Sequence, residues 1–148
     1  MATNTRHIDT SREAVWDVLS NGWTFSNWVV GNSHVRAVER DWPRVGAHLF
    51  HASGPWPLVT RDETIVEKCQ PHELLALLVR GRPVGEARVV LELNDENGGC
   101  RVTMHETPIA GPGKWLHNPA TEAILVRRNT ETLDRLAAVA ENRTEPSE

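Results

Sequence analysis

Residues 118–142, NPATEAILVRRNTETLDRLAAVAEN, decide the fold. Asn118 offers an N-cap side chain, and Pro119 stands at the first helical position, where a missing N–H costs nothing. Leu125, Val126, Leu133, Leu136, Ala137 and Ala140 then recur near the helical period, which predicts a long helix with one apolar stripe. Residues 143–148 are polar and read as a tail, leaving 1–142 as one domain.

Upstream, strand-like segments follow one another with no comparable helix between them. They are Val35–Arg40, Ala47–Ser53, Leu58–Glu67, Glu73–Arg80, Gly85–Asn94 and Cys100–Thr107. The breaks at 41–46, Gly54-Pro55, Gln70-Pro71, 81–83 and 95–99 carry turn chemistry at hairpin lengths. Connections this short suit antiparallel neighbours, because a parallel crossover takes about a dozen residues or more. Thr3–Ile8 adds a first strand, making seven in all. After it Thr10 and Glu13 fit a capping box, Val15, Val18 and Leu19 share a face, and Asn21-Gly22 reads as a left-handed helix stop. Trp23–Trp28 reads as a second short helix. The predicted class is therefore α+β, an antiparallel sheet whose apolar face only the last helix is large enough to cover. A sheet curled around that helix encloses a pocket.

Strand parity assigns the faces. Val102 and Met104 oppose Arg101, Thr103 and His105, while Ala87, Val89, Leu91 and Leu93 oppose Glu86, Arg88, Val90 and Glu92. Leu74–Val79 lacks such contrast, which leaves open a strand covered on both faces or a different element.

The totals narrow the partners. At 148 residues with a net charge of -4 and 24% charged residues, the chain can bury a core without staples. Arg127-Arg128 is the only adjacent cationic pair, so nucleic acid is not an expected partner. The start, Met1–His7, has no apolar run after a basic residue, so no secretory signal is expected. No apolar run approaches the roughly 20 residues that cross a bilayer, which predicts no stable membrane insertion. Cys69 and Cys100 are too few for a disulfide framework and are expected to be reduced thiols in a cytoplasm. Six Trp and no Tyr leave open core bulk or a cavity lining.

One strand, two small helices, six strands and a long last helix resembles the helix-grip fold of the START/SRPBCC superfamily, to which the birch pollen allergen belongs. Within it the chain resembles the bacterial polyketide cyclase/dehydrase-like proteins. The segments that carry this are Val45–Leu49, Trp56-Pro57, Gly85–Val89, Arg101–Glu106 leading into Gly111–Gly113, and Arg128–Leu133. The resemblance implies a curved sheet gripping the last helix and, between them, a cavity for a hydrophobic or aromatic molecule, lipid- or polyketide-like. It names no reaction, since such proteins include cyclases, dehydratases, lipid carriers, hormone receptors and co-chaperones. No cofactor is expected, and the chain is expected to be a monomer or homodimer.

Parity and the helix stripe supply the candidate site residues. Glu106 shares its face with Val102 and Met104, as a pocket acid/base, as a cation's partner, or as a carboxylate meeting water past the strand's end. His51 shares parity with Leu49, which makes it a pocket imidazole if Leu49 faces the core; Phe50 and Ala52 make the other face equally apolar. Asn129 interrupts the stripe between Leu125 and Leu133, so its amide needs a ligand, a buried water or a sheet carbonyl. Arg128 beside it reads as a surface or rim charge. Trp28, Trp56 and Trp115 fall in segments that surround the pocket entrance in the resembled fold, with plain packing as the alternative. The ligand-binding set is thus Trp28, His51, Trp56, Met104, Glu106, Trp115, Leu125 and Asn129.

Other chemistries find little support. His48-x-x-His51 has a spacing that serves metal on a helix, but on a strand the two rings face opposite sides, so no metal site is expected. There is no nucleophile elbow, and Gly111-Pro-Gly113 loses a cradle donor to its proline. Three functions stay open: a carrier or sensor, a cofactor-free cyclase/dehydratase using Glu106 and His51, and a co-chaperone-like interaction module.

Overall fold

A computed structural model describes residues 1–30, 32–53, 60–81, 85–111 and 118–142. The strands are β1 (Ala2–Ile8), β2 (Asn32–Val38), β3 (His48–Ser53), β4 (Thr60–Gln70), β5 (Leu74–Gly81), β6 (Gly85–Glu96) and β7 (Gly99–Ala110). Between β1 and β2 lie α1 (Arg12–Ser20), a 3-10 turn (Gly22–Thr24) and α2 (Phe25–Trp28); α3 (Pro119–Asn142) ends the described chain. The α+β helix-grip class read from the element order is the observed one.

All seven strands form one antiparallel sheet in the order β1-β7-β6-β5-β4-β3-β2. Strands β2 to β7 are a meander, and β1 closes onto its last strand from Ala2↔Glu106 to Ile8↔Cys100. Register shifts in β2, at Val66/Lys68 in β4 and at Ile109 in β7, opposite Glu86/Ala87, are bulges, which bend strands and help the sheet curve. Pro108 lies past the end of the β1 ladder, where β7 has one neighbour and a lost N–H is tolerated.

The inward faces follow the predicted parity, with Val102, Met104, Val89, Leu91 and Leu93 all buried. Strand β5 proves to be a genuine strand: Leu75 and Leu77 are buried on the core side, while Leu74 and Leu78 are apolar but half-buried. On β3, Leu49 and His51 point inward and are buried.

The second half of α3 seals the core. Leu133, Leu136, Ala137 and Ala140 are each at most 1% exposed, and α3 packs along β1 and against α1 and α2. Val126 does not belong to the stripe; it is exposed, and Asn129 and Thr132 occupy the covered face instead. Asn118 caps the helix as expected, its Oδ1 accepting the Thr121 N–H at 2.9 Å.

Two helix ends differ from the sequence reading. Ser11, not Thr10, is the N-cap of α1, its Oγ accepting the Ala14 N–H at 3.1 Å. Thr10 is buried instead, and Glu13 still lies in the first turn, where a negative charge suits the helix dipole. Asn21 ends α1 in an extended rather than a left-handed conformation. Gly22 serves close packing there: a Cβ would come 2.8 Å from Val38 Cγ1 and 3.0 Å from Leu49 Cδ1.

Candidate ligand cavity

A cavity of about 290 Å3 lies between the sheet and the half of α3 before Leu133. Its floor is the inward face of β5, β6 and β7, including Leu77, Val89 and Met104. Phe25 and Trp28 of α2 close one side, and Leu125, Asn129 and Thr132 form the roof. The Val30 N–H donates to Thr132 Oγ1 at 3.3 Å, tying the segment after α2 to α3.

Six of the eight sequence-derived residues line this one space: Trp28, His51, Met104, Glu106, Leu125 and Asn129. Trp56 and Trp115 lie outside the described residues, as do residues 112 and 113 of the glycine-proline segment and the tail 143–148. Sequence reasoning missed Phe25, Leu77, Thr132 and Asp62. Leu77 was hidden because β5 is apolar on both faces. Asp62 could have been found through the β3–β4 hairpin, where it is the register partner of His51.

Aromatic rings make a continuous wall. Phe25 meets Trp28 edge-on at 5.3 Å between centroids and faces His51 at 5.4 Å. His51 is 3% exposed, and its Nε2 shares a 3.0 Å hydrogen bond with Thr64 Oγ1. Burial lowers its pKa from the ordinary 6.5; the Asp62 charge and then the Glu63 carbonyl oppose that shift without reversing it. The imidazole is therefore mostly neutral at neutral pH. Its Nδ1 has no hydrogen-bond partner among the described residues.

Glu106 is 6% exposed and does not meet water past a strand's end, because β7 runs on to Ala110. Arg128 Nη2 donates to its Oε1 at 2.7 Å and Oε2 at 2.5 Å. Of the two pocket roles foreseen for Glu106, this is that of a cation's partner. Arg128, with a side chain 41% exposed, sits on the rim as expected and reaches inward from it. Asn129 is 1% exposed, and neither atom of its amide has a partner among the described residues; the same holds for Trp28 Nε1.

The outer face is different in kind. His48 pairs with Glu39 at 2.7 Å and stacks on Phe50, so it faces away from His51. Ion pairs Arg88–Glu67 and Arg80–Glu63, at 2.8 and 2.7 Å, cover the outer side of β4 to β6. A more open depression of about 580 Å3, lined by Arg36, Phe50, Glu63 and Arg80, adjoins the cavity's edge at Asp62, Gly81, Gly85 and Glu86. Among the described residues no three His, Cys, Asp or Glu gather as a metal would need. Cys69 and Cys100 are free, and burial pushes the Cys100 thiol up to about 11, which makes it a poor nucleophile.

A curved antiparallel sheet closed over a long terminal helix, with a cavity between them, defines a helix-grip protein of the SRPBCC superfamily. The family model described as polyketide cyclase / dehydrase and lipid transport matches residues 2–141, and the chain belongs to that family. Ara h 8.0201 is similar in structure with a TM-score of 0.74 at 6% identity, over 95% of this chain and 96% of that one. The AHSA1-like protein from Aeromonas hydrophila gives 0.70 at 18% identity, over 99% and 95%. The di-domain ARO/CYC StfQ from the steffimycin biosynthetic pathway gives 0.73 at 10% identity, over 97% of this chain and 51% of that one. At such identities the likeness is one of fold. Comparison with curated proteins finds no significant match.

Proposed function

We propose that this chain is a carrier or sensor for a hydrophobic, flat small molecule, lipid- or polyketide-like, held between α3 and the sheet. The observation that supports it best is the cavity of about 290 Å3, walled by Phe25, Trp28, Leu77, Val89, Met104 and Leu125. Its size lies just below the usual range of ligand cavities, roughly 300–1,000 Å3, which suits a small ligand. Affinity would come mainly from apolar area removed from water, about 25 cal/mol per Å2 before ordering costs. Trp28, His51, Glu106 and Asn129 orient the ligand. Membership in a family described by polyketide cyclase, dehydrase and lipid transport is consistent with this use.

A cyclase or dehydratase is the second reading, favoured by a buried, mostly neutral His51 in the same cavity as Glu106. The engagement of Glu106 by Arg128 weighs against it, because both carboxylate oxygens already accept from the guanidinium rather than standing open to a substrate proton. An interaction module suits the chain less well, since the apolar Leu74 and Leu78 on the outer face of β5 are half-buried and share that face with the ion pairs Arg80–Glu63 and Arg88–Glu67. Among the described residues no helix is long and apolar enough to cross a membrane. We place the protein in a bacterial cytoplasm, where two free thiols persist, as one domain over residues 1–142, monomeric or dimeric and without nucleic acid.

Native mass spectrometry of protein purified from its own host tests the carrier reading. A retained small molecule, lost on Met104→Trp filling of the cavity, is the expected result. A folded protein that retains nothing and shows no thermal shift with any hydrophobic compound would discard it.

A further inference from the structure

Three buried side chains bring to the wall of one apolar cavity polar atoms that have no partner among the described residues. Trp28 Nε1 is an obligate donor, the Asn129 amide holds a donor and an acceptor, and His51 Nδ1 is the ring nitrogen that Thr64 does not use. Their residues are 3%, 1% and 3% exposed. A polar group buried without a partner costs about 1–3 kcal/mol, so these atoms favour a molecule in the cavity that supplies the missing bonds. Elsewhere on the wall a comparable group is matched, Thr132 Oγ1 accepting from the Val30 N–H.

The same wall discriminates against a negative charge. Arg128 is the one cation lining the cavity among the described residues, and both its short bonds go to Glu106. A carboxylate ligand would enter a space that already holds the Glu106 carboxylate, with no uncommitted cation beside it. The neutral donors Trp28 Nε1 and Asn129 Nδ2 would offset only part of that ligand's desolvation.

Resting on the cavity reading above, we infer that the ligand is uncharged and carries hydroxyl or carbonyl oxygens, and that Trp28, His51 and Asn129 select it over both a bare hydrocarbon and a fatty-acid-like anion. A hydroxyl suits His51 in either tautomer, because it can donate to Nδ1 or accept from it. A carbonyl suits Trp28 and the Asn129 Nδ2. The contribution of these groups is selectivity: a site built to hydrogen-bond rejects analogues that leave its polar groups bare.

Equilibrium dialysis against three probes of one skeleton tests this: 2-methylnaphthalene, 2-naphthol and 2-naphthoate. The parent protein is expected to bind 2-naphthol about tenfold more tightly than either of the others. In Asn129→Leu, and separately in Trp28→Phe, that preference over 2-methylnaphthalene should shrink to within about threefold, while 2-methylnaphthalene itself binds as before or more tightly. Retention of the native melting transition distinguishes lost selectivity from lost fold. Equal or tighter binding of 2-methylnaphthalene or 2-naphthoate by the parent overturns the inference while leaving the cavity reading intact. Binding of none of the three overturns both.

Discussion

Arg128 on α3 holds both carboxylate oxygens of Glu106 on β7 through one guanidinium nitrogen, at 2.7 and 2.5 Å. Glu106 is buried and Arg128 is half out in solvent, so the pair bridges the rim of the cavity from helix to sheet. Asn4 of β1 secures the same half of α3, its amide donating to the Val126 carbonyl and Thr130 Oγ1, each at 2.9 Å. The first half of the helix is thus fixed by polar links and its second half by packing.

Removing the cation should cost more than removing the charge it serves. Arg128→Ala strands a buried carboxylate and is expected to destabilise by about 1–3 kcal/mol. Glu106→Gln keeps a polar group of the same shape, and adding it to Arg128→Ala should recover part of the loss. Urea midpoints for the three variants form a double-mutant cycle. A double variant no more stable than Arg128→Ala alone would remove the stranded carboxylate as the cause.

Leu133→Ala should lower stability by about 2–5 kcal/mol, because Leu133 is 1% exposed and lies in the helix stripe packed over the core. Leu125→Ala removes a half-buried part of the cavity wall and should cost clearly less. Chemical denaturation of both variants checks the ordering; equal losses would mean that the two halves of α3 are packed alike.

How legible the site was depended on where a side-chain period had an anchor. His51 could be placed through Leu49 and Glu106 through Val102, because strand neighbours two apart share a face. Asn129 stood out as an amide breaking an apolar stripe. Strand β5 offered no anchor, being apolar on both faces, so Leu77 went unread. The Glu106–Arg128 link joins residues 22 positions apart through the wrap of the sheet, which local periodicity does not encode. Thr10 and Ser11 are both competent caps, and only the burial of Thr10 separates them.

Protonation of His51 should work against the fold. Its folded pKa lies below the ordinary 6.5, chiefly through burial, so between 6.5 and that lower value the unfolded chain binds more protons than the folded one. Stability therefore rises with pH across that window, is unaffected by this group above it, and falls as pH drops below about 6.5. His51→Phe, which cannot titrate, should show a flatter melting-temperature profile between pH 7 and 5 than the parent, both numbers being roughly the flanks of the imidazole range. Parallel profiles would show that His51 is not the titrating group.

Asn129→Leu is expected to make the unliganded protein more stable. The parent buries both amide atoms without a protein partner among the described residues, and replacing such a group by an apolar one of similar size removes its desolvation cost. A gain of about 1 kcal/mol is expected, which for a chain of this length raises the melting temperature by roughly 2–4 °C. Asn129→Ala controls for the amide alone; it loses the same polar atoms but leaves a gap, so it should gain less or nothing. Differential scanning calorimetry of the three proteins, stripped of small molecules by unfolding and refolding, makes the comparison. A destabilised Asn129→Leu would mean that the amide is matched within the protein, and that its place on the cavity wall serves the fold rather than a ligand.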